Sequence, residues 1–226
     1  METVVHPFCN ESDPAWADMS NFVVHFTKNY DNNDAYYNML GILGSGVIKA
    51  RNPFGLGREK APDLTSQHVV CFSEIPLHQL SRLSKKRSPY GIVFKKPFVI
   101  HRHGNPILYA YKDQPLTNAV KKLMALAADD PDHPIWTITP FVDAPGTYGN
   151  STYFFEWERE WRKVGNFEFP TDEVEFLIIP EHLHFAAKVF FDDARKENLG
   201  PAYDCPFIDA NWDMKKIEPL IASKLS

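Results

Sequence analysis

Cysteine is scarce in this chain: Cys9, Cys71 and Cys205 are the whole complement, scattered and odd in number. That argues against a disulfide framework and against a Cys-x-x-Cys metal site. Long apolar runs are missing as well. Apolar runs such as Val69-Val70-Cys71-Phe72 are short and interrupted, so no membrane-spanning helix is expected. The opening Met-Glu-Thr-Val-Val-His-Pro lacks the basic start and apolar stretch of a secretion signal. These absences predict a cytoplasmic chain with no membrane partner. Neither Gly-x-Gly-x-x-Gly nor a Walker-type loop occurs, which removes the usual phosphate-cradling turns. There is no internal repeat and no low-complexity linker.

What is present suits one generous domain over residues 1–226, because 44% hydrophobic and 14% aromatic content can fill a core. The formal charge of −5 disfavours nucleic acid as a partner. Its distribution points the other way. Between Ile75 and Lys112 there is no Asp or Glu, yet Lys or Arg occupies positions 82, 85, 86, 87, 95, 96, 102 and 112. Tyr90 and Phe98 are interleaved with these cations. Such a stretch fits a phosphate backbone or a dinucleotide diphosphate; the plainer reading is that it neutralises the domain's own acids.

Periodicity predicts strands over Asn21–Thr27, His68–Phe72, Tyr90–Phe94, Ile107–Tyr111, Val174–Ile179 and Lys188–Phe191. Helices are predicted after Asn33-Asp34, after Pro76, over Leu116–Ala128 and over Asp213–Leu225, with Pro219 interrupting the last. Residues 131–150, rich in Pro, Gly, Asp and Thr, read as an irregular insertion. Strands and helices do not alternate in a βαβ rhythm, so the expected class is α+β.

The densest chemistry is Phe154-Phe155-Glu156-Trp157-Glu158-Arg159-Glu160-Trp161-Arg162. Read as a strand, alternation sends Glu156, Glu158 and Glu160 to one face, and Phe155, Trp157, Arg159 and Trp161 to the other. Three like charges in a row cost stability unless a cation or ligand answers them. Arg162 shares their parity and can restrain that charge. The bland alternative is a solvated acidic face. His101-x-His103 and His182-x-His184 place imidazoles on one strand face, but no carboxylate or thiolate at familiar spacing completes a metal site.

Several pieces in order resemble the ADP-ribosyltransferase fold, most closely its abortive-infection, AbiGi-type phage-resistance branch. They are Val24-His25-Phe26-Thr27, Leu40 to Ile48, Val70-Cys71-Phe72-Ser73-Glu74, Tyr90 to Phe94, and Trp157 to Arg162, with weaker likeness as far as Pro180. The resemblance implies two small mixed or antiparallel sheets with flanking helices, and NAD as cofactor. It implies that His25, with Phe26 and Thr27, supports a ribose, that Ser73 and Tyr90 lie near nicotinamide, and that Arg51 and Arg58 reach the diphosphate. Glu160 then takes the catalytic role, with Glu158 beside it and Glu175 as its rival. The plainer alternatives are that His25 and Tyr90 are core residues and that Ser73 caps a helix. The function so implied is a toxic NAD-dependent mono-ADP-ribosyltransferase effector in phage defence or a toxin–antitoxin system. Its expected acceptor is RNA or single-stranded DNA, with an antitoxin or chaperone partner to restrain it. The alternatives are a catalytically inactive binding or immunity module of the same fold, and an NAD glycohydrolase.

Overall fold

The computed structural model describes residues 19–74 and 76–225. In chain order the elements begin with β1 (Phe22–Phe26), α1 (Ala35–Ser45), β2 (Val47–Ile48), β3 (Asn52–Pro53) and β4 (His68–Glu74). Next come α2 (Leu80–Lys86), β5 (Gly91–Lys95), α3 (Lys96–His101), β6 (Asn105–Pro106), β7 (Leu108–Tyr109) and α4 (Pro115–Leu126). Then follow α5 (Ile135–Ile138), β8 (Val142–Asp143), β9 (Gly146–Tyr148), β10 (Ser151–Tyr153), β11 (Glu160–Val164) and β12 (Phe167–Glu168). The last are β13 (Phe176–Ile178), α6 (His184–Lys196), β14 (Phe207–Ile208) and α7 (Met214–Leu225). The class is mixed α+β, as expected.

The chain divides into two compact units. The first comprises the residues up to Val47, Ser73–Phe98 and those from Glu168 onward; the second comprises Ile48–Phe72 and Val99–Phe167. Each has its own core.

In the first unit β1 pairs antiparallel with β5 along its whole length, from Phe22 opposite Lys95 to Phe26 opposite Gly91. β13 lies antiparallel to β5 and parallel to β14, while Val23 and Val24 of β1 face Glu74 and Ser73. Strand alternation sends Phe22, Val24, Phe26, Val93, Phe176 and Ile178 into one core with Leu80 and Leu83 of α2 and Ile217 and Ile221 of α7. Gly91 is required there, since a Cβ would sit 2.7 Å from Val24 Cγ2. α1 starts and stops where its sequence says it should. The Asp34 carboxylate accepts from Tyr37 N at 2.9 Å, and Gly46 at φ 65° closes the helix by donating to Ile42 O.

Two first-unit expectations fail. Lys188–Phe191 is no strand but the middle of α6, which buries Ala187 and Phe191 four residues apart on one face. The β-branched and aromatic content of Val189-Phe190-Phe191 mimics a strand, but tertiary packing overrides it. Pro219 lies inside α7 without ending it.

In the second unit β3 pairs with the start of β4, β6 pairs with β11, and β7 runs parallel to β8 with Tyr109 opposite Asp143. β9 and β10 form a hairpin. Val120, Met124 and Ala127 pack on Ile135, Trp136 and Ala61. A buried polar link ties this core to the sheet: Gln67 Nε2 donates to Trp136 O at 3.0 Å, and Thr139 Oγ1 donates to Gln67 Oε1 at 2.9 Å. The stretch read as an irregular insertion supplies α5, β8 and β9. The predicted strand over Ile107–Tyr111 is reduced to Leu108–Tyr109.

Candidate functional site

The glutamate segment departs from the expected ribbon. Glu156–Glu158 form a single 310 turn, Arg159 adopts the left-handed conformation at φ 48° and ψ 58°, and β11 starts only at Glu160. The alternation therefore does not run through Glu156 and Glu158. Trp157, expected in the core, is exposed, while Glu158, expected with the exposed acids, is buried. On the acid-bearing face only Glu160 and Arg162 keep the predicted parity, with Trp161 between them buried as expected.

That surviving pair is the centre of the second unit's most elaborate polar network. Among the described residues Arg162 is the largest fully buried side chain, 1% exposed. Its Nε donates to Glu160 Oε1 at 2.8 Å and its Nη2 to Glu160 Oε2 at 3.2 Å. Nη2 also reaches Asp143 Oδ2 at 2.5 Å, and Nη1 donates to Pro140 O at 2.8 Å. The Phe54 ring lies 5.1 Å from the guanidinium carbon, within cation–π range. Burial works against this charge, but the Glu160 carboxylate, by charge and hydrogen bond, overrides it and raises the guanidinium above its ordinary value. Arginine suits the position because its rigid fork can serve two carboxylates and a carbonyl in one plane.

Two further groups complete the cluster. The Tyr109 hydroxyl accepts from Glu160 N at 2.8 Å, and burial first, then the nearby carboxylate, pushes it up to about 12. Cys71 is half-buried as a residue, but its thiol is desolvated beside Glu160 and Arg162. Desolvation and then the Glu160 charge push that thiol well above its ordinary value, which favours its protonated form. Sequence reasoning missed Asp143, Tyr109 and Cys71. The only local signal was an excess of acid that one arginine of matching parity leaves unbalanced.

The other predicted residues fall in different places. Arg51, exposed, joins Glu158 and Glu160 in the second unit, whereas His25, Phe26, Thr27, Ser73 and Tyr90 belong to the first. Phe26 is a core residue and His25 a half-buried one opposite Ile92 on β5. Thr27 spends its hydroxyl on Ala35 O at 2.7 Å and its N–H on Tyr90 O at 3.1 Å. Ser73 is buried within β4 rather than placed at a helix start. Tyr90 packs on Tyr36 with ring centroids 5.3 Å apart, and burial raises its phenol. Glu175 is buried and ion-paired with Lys95 at 3.3 Å.

The acid-free basic stretch is partly used up in the same way. Lys96 pairs with Glu74 at 2.5 Å, both buried, and Lys95 with Glu175, which is the self-neutralising reading. Arg82, Lys85, Lys86 and Arg102 remain on the surface. Among the described residues no group of three or more His, Cys, Asp and Glu is placed to hold a metal, and no helix is long and apolar enough to cross a membrane.

A protein-family model described as "Putative abortive phage resistance protein AbiGi, antitoxin" matches residues 51–199. No curated protein and no solved structure matches the chain. The matched span starts after the His25 and Leu40–Ile48 pieces and covers the whole Arg162 network. The antitoxin description overturns the expectation of a toxic ADP-ribosyltransferase effector and favours the binding or immunity alternative.

Proposed function

Because the chain belongs to the AbiGi antitoxin family of abortive phage resistance proteins, we propose that it is a binding module that counters a toxin by direct contact rather than by chemistry on NAD. The family match carries this reading. The site geometry supports it, because both oxygens of Glu160 accept from one buried guanidinium. A carboxylate held in that way serves as the buried counter-ion of Arg162. In this reading any likeness to ADP-ribosyltransferase domains is a matter of scaffold, and the partner is a protein.

The test is co-expression with the toxin of the same abortive-infection system. The chain alone should leave growth and cellular NAD unchanged, should restore growth when the toxin is present, and should co-purify with it. Growth arrest or NAD loss caused by the chain alone would overturn the proposal, and so would a toxin that it neither restrains nor binds.

A further inference from the structure

We propose that the toxin-contacting surface is an exposed leucine seam along α4, which receives an amphipathic α-helix of the partner with an acid on its flank; this rests on the antitoxin reading above. α4 has two apolar faces where its own core needs one. Val120, Met124 and Ala127 pack on Ile135, Trp136 and Ala61, and Thr117 is buried in line with them. The second face is Leu116, Ala119, Leu123 and Leu126. All four are exposed, the leucines by 48%, 46% and 83% in that order. At helical pitch each set covers an arc of about 80°, and the two arcs are centred about 100° apart. Leucines gathered on one face of a helix form a patch, unlike leucines scattered singly over a surface.

Spacing selects a helix as the occupant. Positions 116, 119, 123 and 126 step by three, four and three residues, which is the a and d pattern of a coiled coil. Such a seam meets another helix knob into hole, and Ala119 leaves room for a large side chain between Leu116 and Leu123. A strand, whose side chains alternate at every second residue, does not match those steps. The seam is also fixed before binding. Pro115 opens the helix, the Thr117 hydroxyl is shared between Ala110 O at 2.7 Å and Tyr111 O at 2.6 Å, and Ala127 N donates to Leu123 O at 3.1 Å. A backbone held in this way has no ordering left to do on binding, so burial of the leucines goes into affinity.

Charge separates a foreign helix from a second copy of this chain. α4 holds Lys121 and Lys122, both exposed, and no acid. Helical pitch sets Lys122 beside the seam, next to Leu126, and Lys121 on the opposite side of the helix. Asp113 precedes the helix, and Asp129, Asp130 and Asp132 follow it, all beyond its ends. Of the parts packed on α4, α5 carries no charge, and the turn around Ala61 sets Arg58 and Lys60 against Glu59 and Asp63. Lys122 is therefore the charge that flanks the seam. Two antiparallel copies would centre on residue 121 and bring Lys122 against its own counterpart; parallel copies would set it against Ala127, which is buried. Neither arrangement answers that cation, whereas a partner helix with Glu or Asp at the facing position does.

The experiment is an NMR titration of the isotope-labelled full chain with a heptad peptide that carries Leu at a and d and Glu at e and g. The same peptide with Lys in place of Glu, the Glu peptide with a central proline, and anionic phospholipid vesicles serve as comparisons. The Glu peptide should move the backbone amides of residues 115–127 most. It should bind more tightly than the Lys peptide and at least about tenfold more tightly than the proline-broken one. Leu123→Gln with Leu126→Gln keeps helix propensity and should weaken the binding at least about tenfold. Lys122→Glu should invert the order of the Glu and Lys peptides. All three side chains are exposed, so an unchanged spectrum elsewhere certifies the fold. No shifts, shifts centred on another face, equal binding of the proline-broken peptide, vesicle binding through the seam, or self-association that the glutamine variant abolishes would each overturn the proposal. The toxin assay separates the two levels. Seam variants that still restrain the toxin as well as the parent chain sink the surface assignment alone, whereas a parent chain that fails to restrain it sinks the antitoxin reading.

Discussion

A guanidinium that is 1% exposed is tolerated only because its charge and its donors are answered. Removing an ion from water costs several kcal/mol, and the return comes from Glu160, Asp143, the Pro140 carbonyl and the Phe54 face together. Arg162→Met would leave two carboxylates without their cation and should cost about 3–5 kcal/mol of stability, read as a shift of the urea midpoint. Arg162→Lys should lose much of the same amount, since one compact ammonium cannot span both carboxylates and the carbonyl. A Met variant within about 0.5 kcal/mol of the parent chain would mean the network is ornamental. The pairing of Glu160 with Arg162 was legible in advance, because residues two apart on a strand share a face. Asp143 was not, because its contact spans 19 positions and arrives through the parallel pairing of β7 and β8. No local pattern reports such a partner.

At the scale of elements, caps, turn residues and most strands were legible, and the reading failed where a strand-like composition or period sits in a helix or a 310 turn. Asp34 and Gly46 bracket α1 as their chemistry dictates, and the antiparallel pair β1 and β5 follows the two clearest apolar runs. The segment from Phe154 to Glu158 misled because alternating Glu and aromatic residues have the strand period. A left-handed Arg159 and a 310 turn break the extended path, so Trp157 and Glu158 exchange their expected environments. Glycine gives a test of how far local geometry rules. Gly41, inside α1, has nothing within 4 Å of a built Cβ, so Gly41→Ala should raise stability by about 0.5–1 kcal/mol. Gly57 is the opposite case, because a Cβ would fall 2.3 Å from Gln67 Oε1 and 2.4 Å from Thr139 Oγ1. Those two atoms are bonded to each other in the core and cannot both withdraw, so Gly57→Ala should lower the melting temperature. Thermal melts with shifts of the same sign would refute the contrast.

At the scale of the whole molecule, composition and charge bounded the class, and the family match overturned the toxic-effector role that site residues alone suggested. The reason is physical: a buried acid beside an arginine looks the same in sequence whether it steadies a scaffold or a cationic transition state. Acid sensitivity offers a reading of the first unit that is independent of function. Glu181 accepts from Lys216 Nζ at 2.7 Å and from Trp212 Nε1 at 2.7 Å, and these bonds hold it below its ordinary 4.5. Partial burial pushes Asp209 up, but the N–H groups of Asn211 and Glu181 outweigh it and hold the carboxyl below its ordinary 3.8. Both groups are depressed on folding, so their contribution is fully present above the unfolded values and is lost as pH falls through the folded ones. The start of α7 should therefore loosen as pH drops below 4.5 and further below 3.8. The indole N–H resonance of Trp212 reports it directly, since that proton is the one Glu181 holds. It should move toward its solvent-exposed position on acidification, and in Glu181→Gln it should lose most of that pH dependence. An indole signal that stays flat from pH 4.5 to well below 3.8 would show that these carboxylates do not fasten the helix.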